Sequence, residues 1–280
     1  MADLKKKPNE WKRTMLLALF AYAVLVAIMF FNQGNFLYVP YKIFPNPALI
    51  GVGDMQVIEV TTADNLKLRA LYKAPATPSM PVVVLFHGNG GSIAIRGYRA
   101  RDYIDNGGYG YLLAEYRGYA GNPGKPNEQG LYNDARAYMK FLNSDQKISQ
   151  NRIVLYGESL GTGVATQMAL EYADIRALVL EAPFTSFPAV AQKHMFWLPA
   201  YWMVRDRFDN FNKISKVKAP LLVLHGAQDE IVPFKQGTKV FQNAKTNKRF
   251  EAFSDGHHTD LHQFGVGEKT RHFLAAHPVD

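Results

Sequence analysis

The chain has 280 residues, 48% of them hydrophobic, which is enough to bury one large core, and it contains no cysteine. Disulfide frameworks, thiolate nucleophiles and thiolate metal sites are thereby excluded. The formal charge of +8 would suggest nucleic acid only if it were concentrated. Instead Met1 to Arg13 holds Lys5, Lys6, Lys7, Lys12 and Arg13 against Asp3 and Glu10, and the rest is spread without a basic stripe.

Behind this basic tail (1–13), Thr14 to Phe31 reads TMLLALFAYAVLVAIMFF, eighteen uncharged residues at the lower end of what crosses a bilayer as a helix. Trp11 and Tyr38 flank it as interfacial aromatics. The cations all precede it, so the positive-inside rule predicts a single-pass signal anchor over 14–31, the N-terminus cytoplasmic and everything after it across the membrane. A cleaved signal peptide and a buried core helix are the rival readings. The first usually has a shorter apolar run and small residues after it, whereas Met29, Phe30, Phe31 and Asn32 close this one. Residues 32–55 then read as a linker to a domain over 56–280.

From Gln56 onward strand-like and helix-like segments alternate, the pattern of an α/β fold with a mainly parallel sheet. QVIEVTT and LKLRALY form an opening antiparallel pair. VVVLFH (82–87), YGYLLAEY (109–116), RIVLYG (152–157), ALVLEA (177–182), LLVLHG (221–226) and KRFEAF (248–253) follow, several apolar at consecutive positions as strands buried on both faces should be. Helices are expected near 128–143, 160–173, 234–243 and 262–276.

Gly157, Glu158, Ser159, Leu160 and Gly161 form a G-x-S-x-G where a buried strand ends and a helix begins, the setting of a nucleophile elbow. The alternative is a glycine-rich turn with a serine cap. A serine hydroxyl needs a base and a group that orients the base. Asp229, just beyond LLVLHG, supplies a carboxylate at the edge of the sheet where ligand sites of open α/β sheets lie. His257 and His258, beyond KRFEAF, both qualify as the base, and only one can point at the serine. His258 and His262 are also spaced as metal ligands, but Thr259 stands where the zinc-protease motif needs glutamate. The developing oxyanion needs two donors. The backbone N–H of Leu160 is one candidate, and that of Asn89, in the open loop His87-Gly88-Asn89-Gly90-Gly91, is the other. That loop lacks the lysine of a phosphate-binding loop.

Together these motifs resemble the α/β-hydrolase superfamily, and within it the membrane-anchored α/β-hydrolase-domain serine hydrolases, including esterase-like and serine-aminopeptidase-like members. The resemblance runs from about Tyr38 to Phe273 and rests on LYVP (37–40), FHGNGG (86–91), EYRGYAGNPGKPNEQGLYNDA (115–135), YGESLGTGVA (156–165), EAPFTS (181–186), RFDN (207–210), HGAQDEIVP (225–233) and GHHTD (256–260). The family pattern glycine, any residue, histidine, asparagine, aspartate falls on Gly256 to Asp260. It implies His258 as the base, with Thr259 in place of the asparagine; Ala120 replaces another usual glycine. The resemblance also implies a small cap over about 184–212. Its aromatic residues, Trp197 and Trp202 among them, read as packing, as an acyl pocket or as a membrane-facing surface.

The expected activity is hydrolysis of a small-molecule carboxylic ester, acyl or lipid-like, with Ser159, His258 and Asp229 catalytic and Asn89 and Leu160 holding the oxyanion. No cofactor and no nucleic-acid partner are expected, and the membrane is met through the N-terminal helix. Thioester cleavage, peptide hydrolysis and a silent binding module are the alternatives, because fold does not choose among them.

Overall fold

The computed structural model describes residues 10 to 278; Lys5, Lys6 and Lys7 of the basic tail lie outside the described residues. The first elements are the helices α1 (Glu10–Phe31) and α2 (Gln33–Leu37) and the short strand β1 (Val39–Pro40). Next come β2 (Gln56–Thr61), β3 (Lys67–Lys73), β4 (Val82–Phe86), β5 (Gly90–Gly91), α3 (Gly97–Gly107) and β6 (Gly110–Ala114). Helix α4 (Glu128–Lys140), β7 (Ile153–Glu158), α5 (Leu160–Glu171) and β8 (Ala177–Glu181) make up the middle. Three short helices follow, α6 (Phe187–His194), α7 (Ala200–Met203) and α8 (Asn210–Ile214). The chain closes with β9 (Leu221–Gly226), α9 (Phe234–Asn243), β10 (Lys248–Phe253) and α10 (Val266–Ala275).

Eight strands form one sheet in the order β10-β9-β8-β7-β4-β6-β3-β2, and only β3 runs against its neighbours. Consecutive apolar residues let a strand feed two cores at once. Val82, Val84 and Phe86 of β4 enter one cluster, Val83 and Leu85 the other, because side chains alternate across the sheet. Register then places the chemistry. Phe86 pairs with Gly157, so the loops after β4 and β7 leave the sheet side by side. Phe253 pairs with Gly226, which does the same for the loops after β10 and β9.

The fold is the α/β-hydrolase architecture expected, mainly parallel with helices on both faces, and it differs in detail. The eleven-residue α3 was not expected, since GYRARDYIDNG reads as polar; Arg99 and Tyr103 nonetheless lie buried on its inner side. The helix expected at 128–143 ends at Lys140 and widens into a π turn over Phe141–Asp145, and the last one is split by Gly265. Residues 32–55, expected as a linker, carry α2, β1 and a 3-10 turn at Pro47–Ile50, with Leu37, Tyr38 and Val52 buried. Helix α1 is apolar on every side, has no buried residue, and is long and apolar enough to cross a membrane.

Candidate active site

Ser159 sits between β7 and α5 with φ 50 and ψ −112, a conformation that costs an L-residue about 1–3 kcal/mol. The turn is held because Ser159 N donates to Glu181 O at 2.9 Å, while Ser159 O accepts from Thr162 N at 2.9 Å and Thr162 Oγ1 at 2.6 Å. Both motif glycines are forced by close approach. A Cβ at Gly157 would meet Gly161 O at 2.5 Å, and one at Gly161 would meet Phe86 O at 1.9 Å.

The loops after β9 and β10 bring the other two side chains in. His258 Nε2 lies 3.0 Å from Ser159 Oγ, and His258 Nδ1 lies 2.7 Å from Asp229 Oδ2. Asp229 Oδ1 accepts from the N–H groups of Ile231 and Val232 at 2.9 and 2.7 Å. Burial raises the Asp229 pKa, but hydrogen bonds from His225 and His258 outweigh it and hold the carboxyl well below the usual carboxylate range. His257 turns the other way: its Nδ1 faces Glu230 Oε2 at 3.1 Å in solvent, and that bond raises its pKa. The two adjacent histidines are thereby separated by geometry.

Asn89 lines the same cavity as Ser159 and His258, a cleft of about 460 Å³ that Gly88, Arg96 and Tyr98 also border. Its side chain is engaged on the far side. Nδ2 donates to Leu37 O at 2.6 Å, and Oδ1 accepts from Tyr119 Oη at 2.9 Å and Val39 N at 3.3 Å. Beside it β5 pairs with β1, and Tyr41 N donates to Gly91 O at 3.0 Å. Leu160 has its side chain in the core. As the first residue of α5 it carries one of the N–H groups that a helix start leaves without an internal partner.

Several supporting residues were not singled out in the sequence. His225 lies buried with Nε2 at 3.3 Å from Asp229 Oδ2 and 3.0 Å from Val232 O, so it braces the carboxylate from behind. Glu158 pairs with Arg96 at 2.7 Å, and Arg99 forks onto Glu181 at 2.7 and 2.8 Å, leaving two cations against two anions beneath the cleft. Burial raises the Glu158 pKa, yet the charges of Arg96 and Arg99 prevail and keep it ionised. His87 bridges Gly88 O and Glu115 Oε1, both at 2.7 Å, and fixes the root of the glycine loop.

The aromatic residues between β8 and β9 divide into two groups. Phe184, Phe187 and Phe208 are buried, with Phe187 tilted against Phe184 and edge-on to Phe208 at ring centroid distances of 6.0 and 5.7 Å. Trp197 and Trp202 do not border the cleft at Ser159. A larger cavity of about 570 Å³ beside Thr185, Arg207 and Asn243 does not reach Ser159.

A family model described as alpha/beta hydrolase fold matches residues 81–213. An uncharacterized protein of Mycobacterium tuberculosis, Rv2307c, is 36% identical over 259 residues, 89% of this chain and 90% of that one. The lysophosphatidylserine lipase ABHD12 of Danio rerio is 31% identical over 222 residues; these cover 72% of this chain and 56% of that relative's length. Among solved structures, the Pyrococcus furiosus esterase Pf2001 shares the fold at 23% identity with a TM-score of 0.68, covering 86% of this chain and 100% of the other.

Proposed function

Because the chain belongs to the α/β-hydrolase superfamily and is a hydrolase on that scaffold, we propose that it cleaves carboxylic esters through an acyl-enzyme on Ser159. The observation that carries this reading is the continuous line from Asp229 Oδ2 through both nitrogens of His258 to Ser159 Oγ, at 2.7 and 3.0 Å. As Oγ bonds to the carbonyl carbon, His258 Nε2 takes its proton, and the oxyanion is received by the N–H groups of Asn89 and Leu160. The bond to the leaving alcohol breaks as His258 returns the proton to that oxygen. Water then repeats the sequence on the acyl carbon and frees Ser159. Asp229, kept ionised by its donors, holds the Nδ1–H tautomer throughout. Three side chains and two backbone donors suffice, and no cofactor enters.

We read α1 as a signal anchor with a cytoplasmic N-terminus, residues 56–280 as the hydrolase domain and 184–212 as its cap. A lipid-like or acyl substrate is supported by the anchor, which keeps the domain near a bilayer, and by the similarity to a protein named a lysophosphatidylserine lipase. Thioesters and peptides would be attacked by the same parts. A fluorophosphonate probe should label the protein and not Ser159→Ala; an unlabelled native protein would leave a binding module. Esters, thioesters and peptide amides compared at equal chain length decide the bond. A flat profile from acetyl to decanoyl esters would count against an acyl substrate. A reporter after Asp280 tests orientation, and a soluble form beginning after Phe31 would reveal a cleaved signal.

A further inference from the structure

Helix α1 does not stand clear of the domain. Tyr22 Oη donates to Trp197 O at 2.9 Å. Further along, Gln33 takes Arg205 N at 2.8 Å and reaches Met203 O at 3.3 Å, while the Arg205 guanidinium lies 4.3 Å from the centre of the Phe30 ring. Met29, Phe30 and Leu37 face Met195, Leu198 and Met203 across a narrow apolar crevice. The second half of the apolar helix therefore lies along the α6–α7 segment.

That contact fixes a depth. The uncharged run Thr14–Phe31 is about 27 Å long at 1.5 Å per residue, barely the thickness of a hydrocarbon core, so a span must use nearly all of it. Tyr22 lies nine residues before Phe31, about 13 Å back along the axis. Whatever touches Tyr22 cannot remain in bulk water while α1 spans. The segment that touches it, Met195 to Val204, reads MFWLPAYWMV, ten residues without a charge between Lys193-His194 and Arg205. Its four aromatic side chains point outward: Phe196 is 81% and Trp202 83% exposed, with Trp197 and Tyr201 partly so. Apolar residues between basic flanks, with aromatics at the rim, are the composition of a segment lying in a membrane interface.

We propose that residues 195–204 are a second membrane contact, dipping into the leaflet that receives the second half of α1, and that their partner is the boundary between headgroups and acyl chains. This rests on the reading of α1 as a membrane anchor. It also accounts for tryptophans that serve neither the core nor the cleft. The opening beside Ser159 would then belong to a domain seated in the lipid surface by two elements.

The test uses the full chain in phosphatidylcholine vesicles. Trp11→Phe with Trp197→Phe leaves Trp202 as the single tryptophan, and the lipids carry bromine at shallow, middle or deep acyl positions. Trp202 emission should be quenched roughly twofold or more, most strongly by shallow bromine, and protected from aqueous acrylamide. Protein that resists alkaline carbonate extraction yet shows no bromine quenching overturns this contact and leaves the anchor standing. Release by carbonate overturns both. Acrylamide protection without bromine quenching would mean that another protein covers the patch, which also overturns the proposal. Independently, Phe196→Ser with Trp202→Ser should lower turnover of a vesicle-borne long-chain ester about tenfold and leave a soluble short-chain ester unaffected. Equal loss on both esters would overturn it.

Discussion

Ser159, His258 and Asp229 hang from the ends of β7, β10 and β9, strands whose pairing lies within the eight-stranded sheet and whose turn is closed by Glu181 and Thr162. Asn89, across the cleft, is steadied on its outer side by Leu37, Val39 and Tyr119, and its neighbours Gly90 and Gly91 pair with a strand of only two residues. One side of the cleft is thus a product of the core. The other leans on the stretch of chain that leaves the apolar helix. On the proposed assignment, a domain cut free of that stretch would keep Ser159 and Leu160 in place and loosen Asn89, one of the two proposed oxyanion donors.

The largest effects should come from the core-built side. Ser159→Ala and His258→Ala should each lower kcat by about 10⁵-fold, with the double variant no worse, because the two act as one unit. Asp229→Asn should lower kcat about 10⁴-fold by favouring the wrong histidine tautomer. Circular dichroism and thermal melting should show all of them folded; additive losses would separate residues read here as a unit.

Next in size is the side of Asn89. A chain beginning at Lys42 should lose roughly 10–100-fold in kcat on a soluble ester with little change in KM, while one beginning at Phe36 should stay within about twofold of the full chain. Asn89→Ala keeps the backbone N–H but frees the loop from three bonds, and should lose roughly tenfold in kcat. It separates loop anchoring from any general loss of stability caused by removing the buried Leu37 and Tyr38. Equal activity of the two truncations, with a fully active Asn89→Ala, would erase the contrast between the sides.

Smaller still is His257→Ala, expected within about twofold of the native rate because its side chain pairs only with Glu230 in solvent. A dead His257→Ala beside an active His258→Ala would reverse the assignment of the base. The smallest effect is on stability. Ser159→Gly should melt as though more stable than Ser159→Ala by about 1 kcal/mol, since glycine adopts a positive φ without the Cβ penalty.

What could be read from the sequence follows from how local the cause is. Strands buried on both faces announce themselves through runs such as VVVLF and LLVLHG, and the G-x-S-x-G between a strand and a helix marks Ser159. Composition could not choose between His257 and His258; the family pattern did, and the loop geometry turns one toward Glu230 and the other toward Ser159. Helix α3 was missed because its buried face carries Arg99, whose partner Glu181 lies 82 residues away. The β1–β5 pair is too short for any periodicity to register. His225 looked like the end of a strand, and only the turn that brings Val232 and Asp229 back over it reveals a brace.

The ribbon of β1 and β5 has a mechanical meaning as well. Its strands are parallel and it stands in series between the apolar helix and the donor loop. A pull on the N-terminus is met first by the bonds of Tyr22 to Trp197 O, of Gln33 to Met203 O and Arg205 N and of Tyr38 Oη to Asp206, and only beyond them by the ribbon, so the contacts with the α6–α7 segment shield the loop of Asn89 from the apolar helix.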